Sequence, residues 1–286
     1  MRICSSKLAQ GYLGPVNTPV QMNDLAQFNS TFWQGTIFSR SDVNNVFRDF
    51  TFVYVPFCTG DTHGGDAVVT YTSGAQSLTI RHKGHANIVA YLERVAATWP
   101  NPTRLVVGGL SAGGFGALIN YDTFRLYWPS QKVYLVDDSG PWLAGATVPS
   151  WLVDGWARWN VAAAIGGICP ACSAPSPAIY GALQRWYPND RKSLVSYLDD
   201  AVIGPNFYGM TIAQFAAALQ NTALTELEPG RWGWYIAPGA RHTPLFEGAW
   251  GGPAVSTIRS AGVSLQDHLR AQLEDEPTWC PVTPPP

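Results

Sequence analysis

The sequence predicts an α/β fold with a mostly parallel sheet and helices on both of its faces. Three observations predict it. Short, near-continuous apolar runs recur at wide intervals, stretches of helical spacing fill the gaps between them, and one run ends in a Gly-x-Ser-x-Gly turn. Strict alternation would mark strands wet on one face, whereas continuous apolar runs suit strands buried on both.

Taken in order, the runs expected as strands are Thr51–Pro56, Arg104–Gly108, Val133–Val136, Ser193–Leu198 and Trp232–Ile236. Between the first two, Ile88, Leu92, Val95 and Trp99 fall on one helical face and Asn101-Pro102 stops it, so a crossover helix is expected from about His85 to Trp99. A second helix is expected from Ser111, carrying Leu118, Ile119 and Tyr121. The stretch 141–190 breaks the rhythm. Rich in Pro, Ala, Gly and the tryptophans Trp142, Trp151, Trp156, Trp159 and Trp186, it reads as an insertion over the sheet. One domain over 1–280 follows, with Pro281 to Pro286 as a disordered tail.

Composition narrows the function classes. A formal charge of −2 over 286 residues offers no basic footprint for nucleic acid, and no apolar stretch is long enough to span a bilayer. Charged side chains make up 13% of the chain, about half the usual share, while Trp, Tyr and Gly are plentiful, a mix associated with secreted proteins that work on carbohydrate. Five cysteines leave at least one without an intrachain partner in an oxidising compartment. The start, Met1-Arg2-Ile3-Cys4, has no signal-peptide apolar core.

Gly109-Leu110-Ser111-Ala112-Gly113 fits the nucleophile elbow of α/β-hydrolases, a strained strand-to-helix turn that lifts a serine hydroxyl above the sheet. The bare pattern is weak, but the strand before it and the helix after it are the setting the mechanism requires. Both glycines are expected where side chains would collide with the neighbouring strand and helix. A serine hydroxyl needs a base, and in this fold the order is Ser, then an acid, then His. Of the histidines after Ser111, His242 lies in a loop directly behind the last strand, where the base belongs. His268 lies in a polar amphipathic helix and is expected at the solvated surface. The acid is sought after a later strand, which offers Asp199 and Asp200, with Asp138 as a competitor one strand earlier. The backbone N–H of Ala112 is the oxyanion donor that can be named. The triad calls for no metal or cofactor.

Gly108 to Gly116, Tyr54 to His63, Asp138-Ser139-Gly140 and Arg241-His242-Thr243 together resemble the pectin acetylesterase and Notum family, particularly its bacterial branch, over roughly Cys4 to Phe246. The resemblance implies an α/β-hydrolase that cleaves carboxylic esters, secreted or periplasmic, acting on acetylated polysaccharide or another acyl ester. Gap-free matching places the family's acid on Asp199 rather than Asp200. It also implies a strand and a Gly-rich oxyanion segment ahead of Cys4. This chain begins after that point, so a fragment or a displaced start is expected, with Cys4 lacking its partner and activity reduced.

Other signals are weaker. Cys169 and Cys172 are expected in a disulfide, with each other or with Cys58 and Cys280. His82 and His85 mark a helix entry rather than a metal site. Asp61, His63 and Trp142 are expected substrate contacts at the rim, although the tryptophan cluster fits a packed lid equally well. Asn29-Ser30-Thr31 is a glycosylation sequon. The alternative to a serine esterase is a carbohydrate- or lipid-binding pseudo-enzyme of the same fold. The missing segment favours it; Ser111 and His242 favour the enzyme.

Overall fold

A computed structural model describes residues 33–57 and 59–284. Cys4, Cys58 and the Asn29 sequon lie outside the described residues. Four parallel strands form the central sheet in the order β3 (Leu105–Leu110), β4 (Val133–Asp138), β5 (Lys192–Tyr197) and β6 (Trp232–Ala237). Leu105 pairs with Val133, Leu135 with Lys192, and Lys192 with Trp232, so the carboxyl ends of all four strands emerge along one rim.

The apolar runs bury both faces. On one, Leu135, Leu194, Trp232 and Ile236 join a core completed by α2 (Ala112–Tyr127), α5 (Ala178–Trp186) and α6 (Ile212–Thr225) through Phe115, Leu183 and Phe215. On the other, Tyr134, Val136, Val195 and Tyr235 meet Leu265, Leu269 and Leu273 of α7 (Leu265–Leu273). Alternate residues of each strand serve opposite cores, as the pleat requires.

The crossover helix before β3 is α1 (Gly84–Thr98), which buries Ile88 and Leu92. It follows a feature the apolar runs did not reveal, the antiparallel hairpin of β1 (Ala67–Ser73) and β2 (Gln76–His82). Its two-residue loop starts at Gly74 with φ +59, the positive value such tight turns demand. Val69, Tyr71 and Ile80 alternate inward while Val68, Thr70 and Thr72 face out.

Several expectations are corrected. Thr51–Pro56 forms no strand: the run has no regular structure, Val53 and Tyr54 are exposed, and no described strand pairs with it. Pro281 to Pro284 do not trail into solvent. The Val282 N–H donates to Trp234 O at 2.7 Å and its carbonyl accepts from Ile236 N–H at 2.9 Å, which covers the outer edge of β6. His268 is buried rather than solvated, its Nε2 3.1 Å from Ser193 Oγ, and burial lowers its pKa to about 4 against the pull of the Cys280 carbonyl. Among the described residues, no helix is long and apolar enough to cross a membrane.

Between β4 and β5 lie α3 (Ser150–Trp159), α4 (Ala162–Ile165) and α5, closed by a Cys169–Cys172 disulfide; Cys280 is exposed and forms no disulfide among the described residues. The tryptophans divide here. Trp142, Trp156 and Trp159 are core, and Trp186 is exposed.

Candidate active site

The site is assembled at the carboxyl rim of the sheet, where α/β folds place their chemistry. Ser111 is the single residue between β3 and α2, and it takes φ 57 and ψ −117, a conformation a side chain adopts only under constraint. Its N–H donates to Asp138 O at 2.7 Å, and its own carbonyl accepts from Gly114 N–H at 2.9 Å. Gly109 is forced by this turn, since a Cβ there would sit 1.9 Å from Gly113 O. Gly113 is not: among the described residues nothing lies within 4 Å of its Cβ position, which corrects the expectation that both glycines avoid collisions.

Ala112 opens α2. The first N–H groups of a helix have no intrahelical carbonyl to bond, and the dipole at that end favours negative charge. This is the chemistry an oxyanion donor needs.

On the other side of the rim, Asp200 Oδ2 lies 2.8 Å from His242 Nδ1. Asp200 is fully buried, and its Oδ1 accepts the N–H groups of Val202 and Ile203 at 2.8 and 2.9 Å, which locks the carboxylate and turns its second oxygen to the imidazole. Because a carboxylate oxygen only accepts, the neutral imidazole carries its proton on Nδ1 and leaves the Nε2 lone pair free to act as a base. Asp199, the residue favoured by gap-free matching, is half-buried and donates its N–H to Gly239 O; it does not meet the histidine. Adjacent turn residues face different ways, and the geometry pairs the second.

Asp138 is also not the partner of His242. Its Oδ2 accepts from Leu245 N–H at 2.9 Å and its Oδ1 from Ser139 Oγ–H at 2.9 Å. Burial holds its carboxyl well above the usual range, with the Leu245 and Ser139 donors pulling the other way. Glu247 is a residue the sequence did not mark. Its Oε1 accepts from His242 N–H at 3.2 Å and its Oε2 pairs with Arg241 at 2.9 Å, so it shapes the histidine loop from beneath. The available signal was a carboxylate five residues beyond the histidine in a Gly-flanked turn.

The three expected substrate contacts fare differently. Trp142 is 1% exposed and packed between Phe115 and Trp156, so it has no face to offer a substrate. Asp61 is fully buried, accepting from Gly84 N–H at 2.8 Å and Thr59 Oγ–H at 2.9 Å, and holds a loop together. His63 sits against Gly116, one turn into α2 from the serine, with its ring 5.1 Å from Phe57. Burial lowers its pKa although Asp61 pulls upward. His82 bonds the Thr59 carbonyl and Tyr71 OH, and His85 bonds Asn120, so both act in loop and helix entry.

Fold and rim define the class: an α/β-hydrolase, with a strained serine after β3 and an Asp-His pair after β5 and β6. The family resemblance stands with it, since residues 23–150 match the model of the pectinacetylesterase family. Two solved structures of Notum from Drosophila, described as a Wnt deacylase, share the fold. One has a TM-score of 0.63 at 20% identity, covering 98% of this chain and 84% of that one. The other has a TM-score of 0.56 at 19% identity, covering 86% and 76%. No curated protein matches the chain significantly.

Proposed function

We propose that the chain is a serine carboxylic-ester hydrolase. In this reading Ser111 attacks the ester carbonyl, His242 Nε2 takes the hydroxyl proton and returns it to the leaving alcohol, and Asp200 holds the imidazole in the required tautomer. The Ala112 N–H meets the oxyanion at the start of α2. An acyl-serine forms as the alcohol leaves, and water attacks it by the same proton relay.

The observation that carries the reading is the Asp200–His242 bond at the same rim as a serine held at positive φ. The pectinacetylesterase match over 23–150 supports an acyl ester as substrate, acetylated polysaccharide first among them. The Cys169–Cys172 disulfide supports a secreted or periplasmic location.

Purified chain mixed with p-nitrophenyl acetate in a stopped-flow instrument should release a stoichiometric burst of nitrophenol. Ser111→Ala should abolish it, with turnover falling toward the order of 10⁶-fold expected for a lost nucleophile. Equal rates for the two proteins would refute the esterase. Retained binding of acetylated polysaccharide by both would then assign a binding domain.

A further inference from the structure

We propose that Asp138 and Ser139 are positioning residues that set the nucleophile turn against the histidine loop, a role that rests on the esterase reading above. Ser111 and His242 lie far apart in the chain, and the serine turn and the histidine loop both bond to this one dipeptide. The Asp138 carbonyl accepts the Ser111 N–H at 2.7 Å. The Asp138 carboxylate accepts the Leu245 N–H at 2.9 Å, and Ser139 Oγ accepts the Thr243 N–H at 3.1 Å. The hydroxyl of Ser139 closes the set by donating to Asp138 Oδ1 at 2.9 Å, and its N–H donates to Val195 O at 2.8 Å.

Backbone strain marks the same three points. Ser111 has φ 57, Ser139 φ 61 and Thr243 φ 57, and such residues persist only where their surroundings over-determine them. Each is held by a hydrogen bond of its own N–H: Ser111 to Asp138, Thr243 to Ser139, and Ser139 to β5. Asp138 and Ser139 are fully buried, so neither is available to touch substrate. What they can do is fix where the serine hydroxyl and the imidazole stand relative to each other.

The test compares Ser139→Ala and Ser139→Gly with Ser193→Ala. Ser193 is an equally buried serine near the amino end of β5, donating to Gln272 Oε1 at 2.8 Å, so it controls for the loss of a buried hydroxyl away from the rim. Both Ser139 variants should lose roughly 10- to 100-fold in kcat, the cost of small misplacements of reacting groups. Their KM should stay within about twofold, because the lost contact acts on the transition state. Amide exchange should speed up at Thr243 and Leu245 in both, and Ser193→Ala should keep wild-type kcat.

Recovery of kcat in Ser139→Gly would assign the effect to the positive φ and overturn the brace. A loss in Ser193→Ala as large as in Ser139→Ala would overturn it as well. If the wild-type chain shows no Ser111-dependent turnover, the esterase reading fails by itself. Amide exchange then decides the brace: deprotection of Thr243 and Leu245 in both Ser139 variants supports it, and unchanged protection overturns it.

Discussion

Asp200 reaches His242 with one carboxylate oxygen while its other oxygen is held by two backbone N–H groups, at 2.8 Å for the imidazole contact and 2.8 and 2.9 Å for the others. Asp199 beside it makes no such contact with the ring. Replacing Asp200 by Asn keeps the shape and offers the imidazole an amide that can donate, which favours the wrong tautomer. Asp200→Asn should therefore lower kcat by on the order of 10⁴-fold. Asp199→Asn should stay within about threefold, as expected of a half-exposed substitution with no partner at the site. Steady-state kinetics on p-nitrophenyl acetate checks both, and the reverse ranking would return the acid to Asp199.

The glycines of the elbow make a second prediction, because they look equivalent in the motif and are not. A methyl group at Gly109 would stand 1.9 Å from Gly113 O and 2.1 Å from its carbonyl carbon, both backbone atoms that cannot rotate away. Gly109→Ala should cost more than about 3 kcal/mol or prevent folding. Gly113 sits in the first turn of α2 with open space at its Cβ. Gly113→Ala should be neutral or stabilising by up to about 1 kcal/mol through helix propensity. Thermal melts of the two variants beside the wild type decide it, and a Gly113→Ala melt as low as that of Gly109→Ala would show that the elbow tolerates neither.

Much of this was legible because burial and chain order leave marks in sequence. The runs that became β3 to β6 are apolar on both faces, and His242 follows from the rule that the base comes last. Thr51–Pro56 carries the same mark but forms no strand, because a ladder needs a neighbouring edge and a local pattern says nothing about one. Gap-free matching picked Asp199 over Asp200 and missed for a related reason: the choice depends on which way a turn faces, and one residue of slippage reverses it. His268 misled through its neighbours. Asp267 and Arg270 give the helix a polar look, while Leu265, Leu269 and Leu273 define the buried face on which His268 and Gln272 also lie. Trp142 shows the limit of composition, since an aromatic ring suits a core and a sugar platform alike. The hairpin of β1 and β2 was readable, from alternation on either side of Gly74, but its strands are only half apolar and stood out less than the continuous runs.

Asp137 lies beneath the elbow, fully buried, with Oδ1 accepting from Gly140 N–H at 2.9 Å and Oδ2 meeting no hydrogen-bond partner among the described residues. Burial raises its pKa from 3.8 to about 8, with the Gly140 donor opposing. The sign follows from proton binding. Between those two values the folded chain holds a proton that the unfolded chain has released, so stability falls as pH rises. The contribution is fully present below the unfolded value, shrinks through the window and is gone above about pH 8. It amounts to on the order of 5 kcal/mol over the whole window. Asp137→Asn puts a neutral group of the same shape in place, and its amide carries no charge to desolvate at any pH. Urea unfolding at pH 5 and pH 8.5 should show a smaller drop in midpoint for the variant than for the wild type, with the variant the more stable protein at pH 8.5. Parallel pH dependences would mean that Asp137 ionises freely in the fold and that solvent reaches its second oxygen.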